Sequence, residues 1–135
     1  MKLLYEDITF KIRGAAFAVY NELGGAFREN VVDKALTIEM IEQGLKVEDQ
    51  KRIDIFYKGN KVGTYIPDKI VDEKVLVEVK CKPEITKSDE EQFWKYLKGS
   101  KYKLGLLINF GPKKLEIKRV IFDIIKNNKS AYIRE

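Results

Sequence analysis

Apolar residues recur every three or four positions at the start of the chain, which is the period of an α-helix. The first such stretch runs from Glu6 to Leu23 and is followed by two glycines. The second runs from about Phe27 to Gln43, with Val31, Ala35 and Ile38 on one stripe. The pattern therefore predicts two successive amphipathic helices, each with one face against a core.

From Leu45 onwards the period of the pattern falls to two, which is typical of β-strands. The stretch from Leu45 to Tyr57 is predicted as one strand, and residues 58–60 as a turn into a strand that contains Val62. Another turn is expected at residues 72–74, where three charged residues separate two β-branched stretches. These strands are predicted to form a three-stranded meander.

A third helix is predicted from Ser88, because Ser88 and Glu91 have the spacing of a capping box, and it stops at Gly99. The next stretch, from Lys103 to Phe110, is almost entirely apolar. Such a run is typical of a strand that is buried on both faces. We therefore expect this strand in the middle of the sheet.

The C-terminal pattern predicts a strand over 115–125 that runs into a helical turn, and then a polar tail over 126–135 with Tyr132 and Ile133 as docking points. The order of elements is then α-α-β-β-β-α-β-β, which predicts an α/β (α+β) fold with a mixed sheet flanked by helices. The chain has 135 residues, of which 44% are hydrophobic. That length suits one core, so we expect residues 1–135 to form a single domain.

The strand after the turn at 72–74 alternates between an apolar face and a face that carries Glu78 and Lys80. A three-residue turn would pair Val71 with Val75. That register places Asp68 directly opposite Glu78, on the same face as Lys80. A two-residue turn would instead shift the pairing by one residue and separate the two carboxylates.

Two carboxylates that face each other across a β-ladder repel, so we expect a cation between them. Mg²⁺ suits this place, because it takes oxygen ligands, often only one or two carboxylates, with water and substrate phosphate completing the shell. Lys80 would then neutralise a phosphate or orient an attacking water. The alternative is that Glu78 and Lys80 form an ordinary ion pair on a solvated strand face, and the residues alone leave both interpretations open.

The composition excludes several kinds of site. The chain has no histidine and one cysteine, Cys81, which removes histidine-dependent nucleophiles, the usual zinc sites and an internal disulfide. No phosphate-binding loop or dinucleotide fingerprint occurs. The net charge of +5 favours an anionic partner. No apolar run is long enough to span a membrane and no signal peptide is apparent, so we expect a cytoplasmic protein without membrane association.

The order Pro67-Asp68, nine residues, Glu78-Val79-Lys80 resembles the signature of the PD-(D/E)XK nuclease superfamily, which has the restriction-endonuclease-like fold. The similarity extends from about residue 8 to residue 122 and looks like the GxxExxY branch. Ala26 and Val32 depart from this branch, because they stand where its motif has glycine and tyrosine. The other matching positions are Leu23-Gly24, Glu29, Ala35-Leu36, Gly44-Leu45, Tyr57-Lys58-Gly59, Gln92, Tyr96-Leu97 and residues 105–111.

The resemblance implies a metal-dependent nuclease that hydrolyses phosphodiester bonds in nucleic acid, with DNA as the expected substrate. In that role Asp68 and Glu78 would hold Mg²⁺ or Mn²⁺, and the carbonyl of Val79 would add a ligand. Lys80 would position the attacking water or balance charge on the phosphate. The competing hypothesis is a catalytically inactive nucleic-acid-binding or regulatory module on the same fold.

Two helical residues have both a simple and a family-based explanation. Glu29 lies in the first turn of the second helix, where the helix dipole alone favours an acid. Gln92 lies one turn before Tyr96, and by default Gln92 is solvated while Tyr96 packs. The resemblance implies instead that Glu29 and Gln92 lie near the metal and take part in catalysis.

A basic rim around the same strand and the third helix is the expected nucleic-acid interface. A solvated helix face would explain the same residues equally well, and the oligomeric state, a homodimer included, stays open. The residues of this rim are Lys82, Lys87, Lys95, Tyr96, Lys98, Lys101 and Lys103.

Overall fold

Two helices lead into a mixed β-sheet in the structure, a computed structural model that describes residues 3–125 and 129–134, with side chains described over 3–122. The helices are α1, Glu6–Leu23, and α2, Glu29–Glu42. The apolar stripe of α2 is wrongly predicted, because Ile38 is 61% exposed. The buried residues of α2 lie about 100° further round the helix and are Val32, Leu36 and Met40.

The described chain contains a six-stranded sheet in the order β1-β4-β5-β6-β7-β8 and a separate sheet of β2 and β3. Strands β5 and β6 are parallel, and the other neighbours in the large sheet are antiparallel. Helix α3, Lys87–Gly99, connects β5 to β6. The strands are β1 Val47–Asp49, β2 Ile53–Tyr57, β3 Asn60–Tyr65, β4 Lys69–Val71, β5 Val75–Lys80, β6 Leu104–Phe110, β7 Leu115–Ile125 and β8 Lys129–Arg134.

The predicted three-stranded meander is wrong, because both of its first two strands are interrupted. The stretch predicted as one strand from Leu45 to Tyr57 bends at Gln50, whose φ of 57° is in the left-handed region, so β1 and β2 belong to different sheets. The following strand is broken around Pro67, which has no N–H group to donate to a ladder. Strand β1 pairs with β4 instead, while β2 and β3 form their own hairpin.

The predicted start of the third helix is also wrong, by one or two residues. Thr86 is the N-cap: its Oγ1 accepts a hydrogen bond from the Asp89 backbone N–H at 3.1 Å, and Asp89 Oδ2 accepts one from the Thr86 N–H at 2.8 Å. The sequence contains two capping-box spacings two residues apart, and Thr86 has the extended backbone of an N-cap. Ser88 lies inside the helix.

The C-terminal prediction fails as well. β7 remains extended to Ile125 without the expected helical turn, and residues 129–134 of the predicted polar tail form β8, which pairs antiparallel with β7. Pairing of backbone groups does not require an apolar sequence, so composition did not reveal this strand. The docking of the Tyr132 and Ile133 side chains lies outside the described side chains.

The core lies on both faces of the large sheet. Val75, Val77 and Val79 pack with α1 and α2, while Leu76 packs with α3 on the opposite face. All residues of β6 are buried, which confirms a central strand buried on both faces. The predicted fold class and the order of helices and strand regions are thus confirmed. No helix in the described part of the chain is long and apolar enough to cross a membrane.

Candidate active site

The carboxylates of Asp68 and Glu78 meet where β4 and β5 enter the sheet, on the face that carries α3. The predicted register is confirmed, because Val71 pairs with Val75 across the three-residue turn. Two hydrogen bonds extend this register beyond the ladder: the Asp68 N–H donates to Glu78 Oε1 at 2.9 Å, and the Val79 N–H donates to Asp68 Oδ2 at 2.7 Å. The backbone of each strand therefore orients the carboxylate of the other.

These carboxylates lie in an environment that opposes their negative charge. Burial raises the pKa of Glu78 to about 7, and the charge of Asp68 raises it further, against the hydrogen bond from the Asp68 N–H. Burial also raises the pKa of Asp68, although the hydrogen bond from Val79 and the charges of Lys69 and Lys80 partly offset this. A cation beside the pair would favour the ionised form of both groups.

Glu29 lies beside this pair, in the first turn of α2 as predicted. Burial raises the pKa of Glu29, followed by the charge of Asp68, while Lys80 lowers it. Among the described side chains, no group of three or more Asp, Glu or Cys residues is arranged to hold a metal ion. Glu29 is therefore close enough to act through its charge but does not complete a three-carboxylate site. Val32, the position of the branch's tyrosine, is fully buried in the core.

Lys80 is held by an acid that the sequence analysis did not identify. Its Nζ lies 4.0 Å from Asp89 Oδ1, and Lys82 Nζ lies 2.7 Å from Asp89 Oδ2. Although burial alone would raise the pKa of Asp89, hydrogen bonds from Lys82 and Thr86 lower it to about 2. Within the described side chains the ion pair of Lys80 is thus with Asp89, and Glu78 is not its partner. The available signal was the T-x-x-D spacing at the start of α3.

Gln92 does not reach the carboxylate pair directly. Its side chain is exposed, and its Nε2 donates a 3.4 Å hydrogen bond to Tyr96 Oη. The Tyr96 ring stacks on Tyr65, with ring centroids 4.0 Å apart and planes inclined by 5°. Tyr65 in turn lies next to Glu78. The sequence analysis missed Tyr65, whose only signal was its place three residues before Asp68.

The predicted basic rim is partly present on α3. Lys87, Lys95 and Lys98 are exposed along this helix, and the Nζ of Lys98 lies 5.6 Å from the centre of the Trp94 ring. The charge of Lys82 is engaged by Asp89 at the helix start. A shallow polar groove runs beside these lysines and is lined by Ser88, Glu91, Gln92, Lys95 and Tyr96.

A second charged cluster lies on the opposite face of the sheet. Lys69 is fully buried, and its ammonium group donates to Asp33 Oδ1 at 2.7 Å, Thr37 Oγ1 at 2.8 Å and Asp49 Oδ1 at 3.1 Å. These contacts join β4 and β1 to α2. They also hold the chain next to Asp68, and Asp33 is one helical turn beyond Glu29.

A model of the PD-(D/E)XK nuclease superfamily matches residues 6–120, which extend from α1 into β7. The chain belongs to the PD-(D/E)XK nuclease superfamily. Asp68, Glu78 and Lys80 all lie within the matched range, and nucleases of this superfamily typically use divalent metal ions. The mixed sheet with helices on both faces is consistent with the restriction-endonuclease-like fold. Comparisons with curated proteins and with solved structures find no significant match.

The donor atoms of this PD-(D/E)XK nuclease suit a hard divalent cation. Asp68 and Glu78 each use one carboxylate oxygen to accept a backbone N–H, so the other oxygen of each can face a cation. Mg²⁺ commonly takes one or two carboxylates and completes its shell with water and phosphate. Two oriented carboxylates whose pKa values are both raised meet this requirement.

Proposed function

We propose that this PD-(D/E)XK nuclease belongs to the GxxExxY branch and hydrolyses phosphodiester bonds in DNA, with Mg²⁺ or Mn²⁺ as its cofactor. The observation that carries the proposal is the pair formed by Asp68 and Glu78, which two backbone hydrogen bonds orient towards each other. The raised pKa values of both groups support it, because such a pair is stabilised by bound positive charge.

Each residue of the site then has a chemical role. Asp68 and Glu78 hold the metal, and the carbonyl of Val79 adds a ligand. When bound, a divalent metal lowers the pKa of water and stabilises negative charge on a phosphoryl oxygen. Lys80 cannot ligate a metal, and it balances the charge that develops on the phosphate. Glu29 adjusts the electrostatic potential at Lys80 and Asp68, in agreement with its coupling to both.

The exposed lysines of α3 supply the phosphate contacts of this proposal. Lys87, Lys95 and Lys98 point into solvent, and the chain as a whole carries a charge of +5. Contacts of this kind orient a nucleic acid without reading its sequence, and they weaken as salt rises. Gln92 and Tyr96 line the polar groove beside them.

The proposal is tested by a cleavage assay on labelled single-stranded, duplex and branched DNA and on RNA, with Mg²⁺ and with Mn²⁺. Lys80→Ala should reduce the rate about 100-fold to 1000-fold, by analogy with the loss of one well-placed oxyanion donor. Glu78→Gln should lose metal binding and cleavage together. Lys46→Ala is the control, because Lys46 forms an exposed ion pair with Glu73 away from the site.

Two results would contradict the proposal. The wild type would cut none of the substrates in either metal, or Lys80→Ala would cut as fast as Lys46→Ala. In either case the catalytically inactive nucleic-acid-binding or regulatory module becomes the better hypothesis.

A further inference from the structure

Tyr65 carries a buried hydroxyl group that forms no hydrogen bond of good geometry. The residue ends β3 and is 6% exposed, and its Oη is without a hydrogen-bond partner in the described part of the chain. Buried polar groups are almost always paired, because leaving one unpaired costs about 1–3 kcal/mol. An unpaired buried hydroxyl therefore calls for a functional explanation.

The group next to this hydroxyl is the carboxylate of Glu78. Burial strongly raises the pKa of Tyr65, and the charge of Glu78 raises it further. The phenol consequently stays protonated and remains a hydrogen-bond donor at any physiological pH. A donor held beside a carboxylate can hydrogen-bond to it after a small change in either side chain.

The ring of Tyr65 is fixed from the side of α3. It stacks on Tyr96 at 4.0 Å, and Gln92 donates a hydrogen bond to the Tyr96 hydroxyl. The Tyr65 ring also packs in the apolar cluster between the sheet and α3, with Ile70 and Leu76 among its members. The hydroxyl is thus presented to Glu78 by a ring that has little freedom to turn away.

We propose that Tyr65 is a positioning residue for the metal site: its hydroxyl donates a hydrogen bond to the Glu78 carboxylate when Glu78 binds the cation. The inference rests on the proposed function, and it adds a role for α3. Gln92 acts through Tyr96 and Tyr65 rather than by touching metal or substrate. Groups that orient a metal ligand in this way typically change metal affinity or activity by about 10-fold to 100-fold.

The test is Tyr65→Phe, which removes the hydroxyl and keeps the ring that stacks on Tyr96. Mn²⁺ affinity, measured by titration calorimetry, should fall about 10-fold or more. The melting temperature without metal should be unchanged or higher, because an unpaired buried hydroxyl is lost. Tyr102→Phe is the matched control, since Tyr102 is also 6% exposed in the same apolar cluster but has Lys51, Glu48 and Glu73 as its charged neighbours.

The outcomes separate this inference from the proposed function. If wild type and Tyr65→Phe bind Mn²⁺ equally well, the positioning role is overturned and the proposed nuclease stands. If the wild type binds no Mn²⁺, the proposed function fails and this inference fails with it. Should Tyr65→Phe not fold, Tyr96→Leu removes the stacking partner from a half-buried position, and its Mn²⁺ affinity should fall while that of Tyr102→Phe does not.

Discussion

Asp68 and Lys69 are adjacent in the chain, yet their side chains enter opposite faces of the sheet and opposite kinds of charged cluster. Lys69 is fully buried, and its ammonium group has acceptors on Asp33, Thr37 and Asp49. Asp68 instead faces a second carboxylate, and burial raises the pKa values of both acids. One cluster contains its own cation, and the other lacks one.

The difference shows that charge balance distinguishes a structural cluster from a candidate site better than burial does. A buried ion whose hydrogen bonds are all satisfied ties elements together and leaves nothing for a ligand to complete. Two buried acids with raised pKa values weaken the fold until a cation joins them. Lys69 accordingly holds β4 against α2, while Asp68 on the same strand end is presented for binding.

The largest expected effect separates the two clusters by stability. Lys69→Ala should lower the free energy of unfolding by about 3–5 kcal/mol, because it removes the cation from a buried network and leaves a cavity. Asp68→Asn should leave this free energy unchanged or raise it, because it removes one of two repelling charges. Both are measured by urea unfolding without metal.

The control for that experiment is Lys46→Ala, whose exposed ion pair with Glu73 should contribute less than about 1 kcal/mol. If Lys69→Ala costs no more than Lys46→Ala, the Lys69 network does not stabilise the fold and the comparison loses one side.

The second prediction concerns pH in the absence of metal. The pKa of Glu78 is about 7 in the folded state and 4.5 for the ordinary side chain, so the folded state binds the proton more tightly. The free energy of unfolding should therefore fall as pH rises from about 4.5 to 7, by at most about 3 kcal/mol, and level off above. Asp68 acts in the same direction, because its pKa is also raised. The lowered pKa of Asp89, about 2, has the opposite effect only in more acidic solution.

Unfolding between pH 4.5 and 8 in a chelator provides the measurement, with Glu78→Gln as the comparison. The variant carries no titrating group at position 78, so its profile should be flatter than that of the wild type. Equal slopes for the two proteins would show that Glu78 is not the group responsible.

The smallest of the expected effects is stabilisation by metal. A ligand that binds only the folded state stabilises it by about 1.4 kcal/mol at ten times its Kd, so millimolar Mg²⁺ or Mn²⁺ should raise the melting temperature. Asp68→Asn should abolish the rise. Asp49→Asn should retain it, because Asp49 belongs to the Lys69 cluster on the other face. A wild-type melting temperature that does not change over a wide range of metal concentration would favour a purely structural role for the carboxylate face.

Several parts of the fold were predictable because they depend on neighbours in the chain. The limits of α1 and the buried strand β6 followed from periodicity and from an unbroken apolar run. The failures occurred where two local patterns compete or where none exists. The bend at Gln50 and the choice of Thr86 over Ser88 depend on backbone conformation, and β8 depends on pairing with β7.

The sequence by itself determined that Asp68 and Glu78 share one face of a hairpin, because strand alternation and turn length are properties of about ten consecutive residues. Only the tertiary structure decided what surrounds them. The burial that raises their pKa values, the Asp89 partner of Lys80 and the Tyr65 ring stacked on Tyr96 each arise from elements that meet across the fold. Periodicity and spacing describe one segment at a time, and such contacts between segments become defined only when the helices and the sheet pack together.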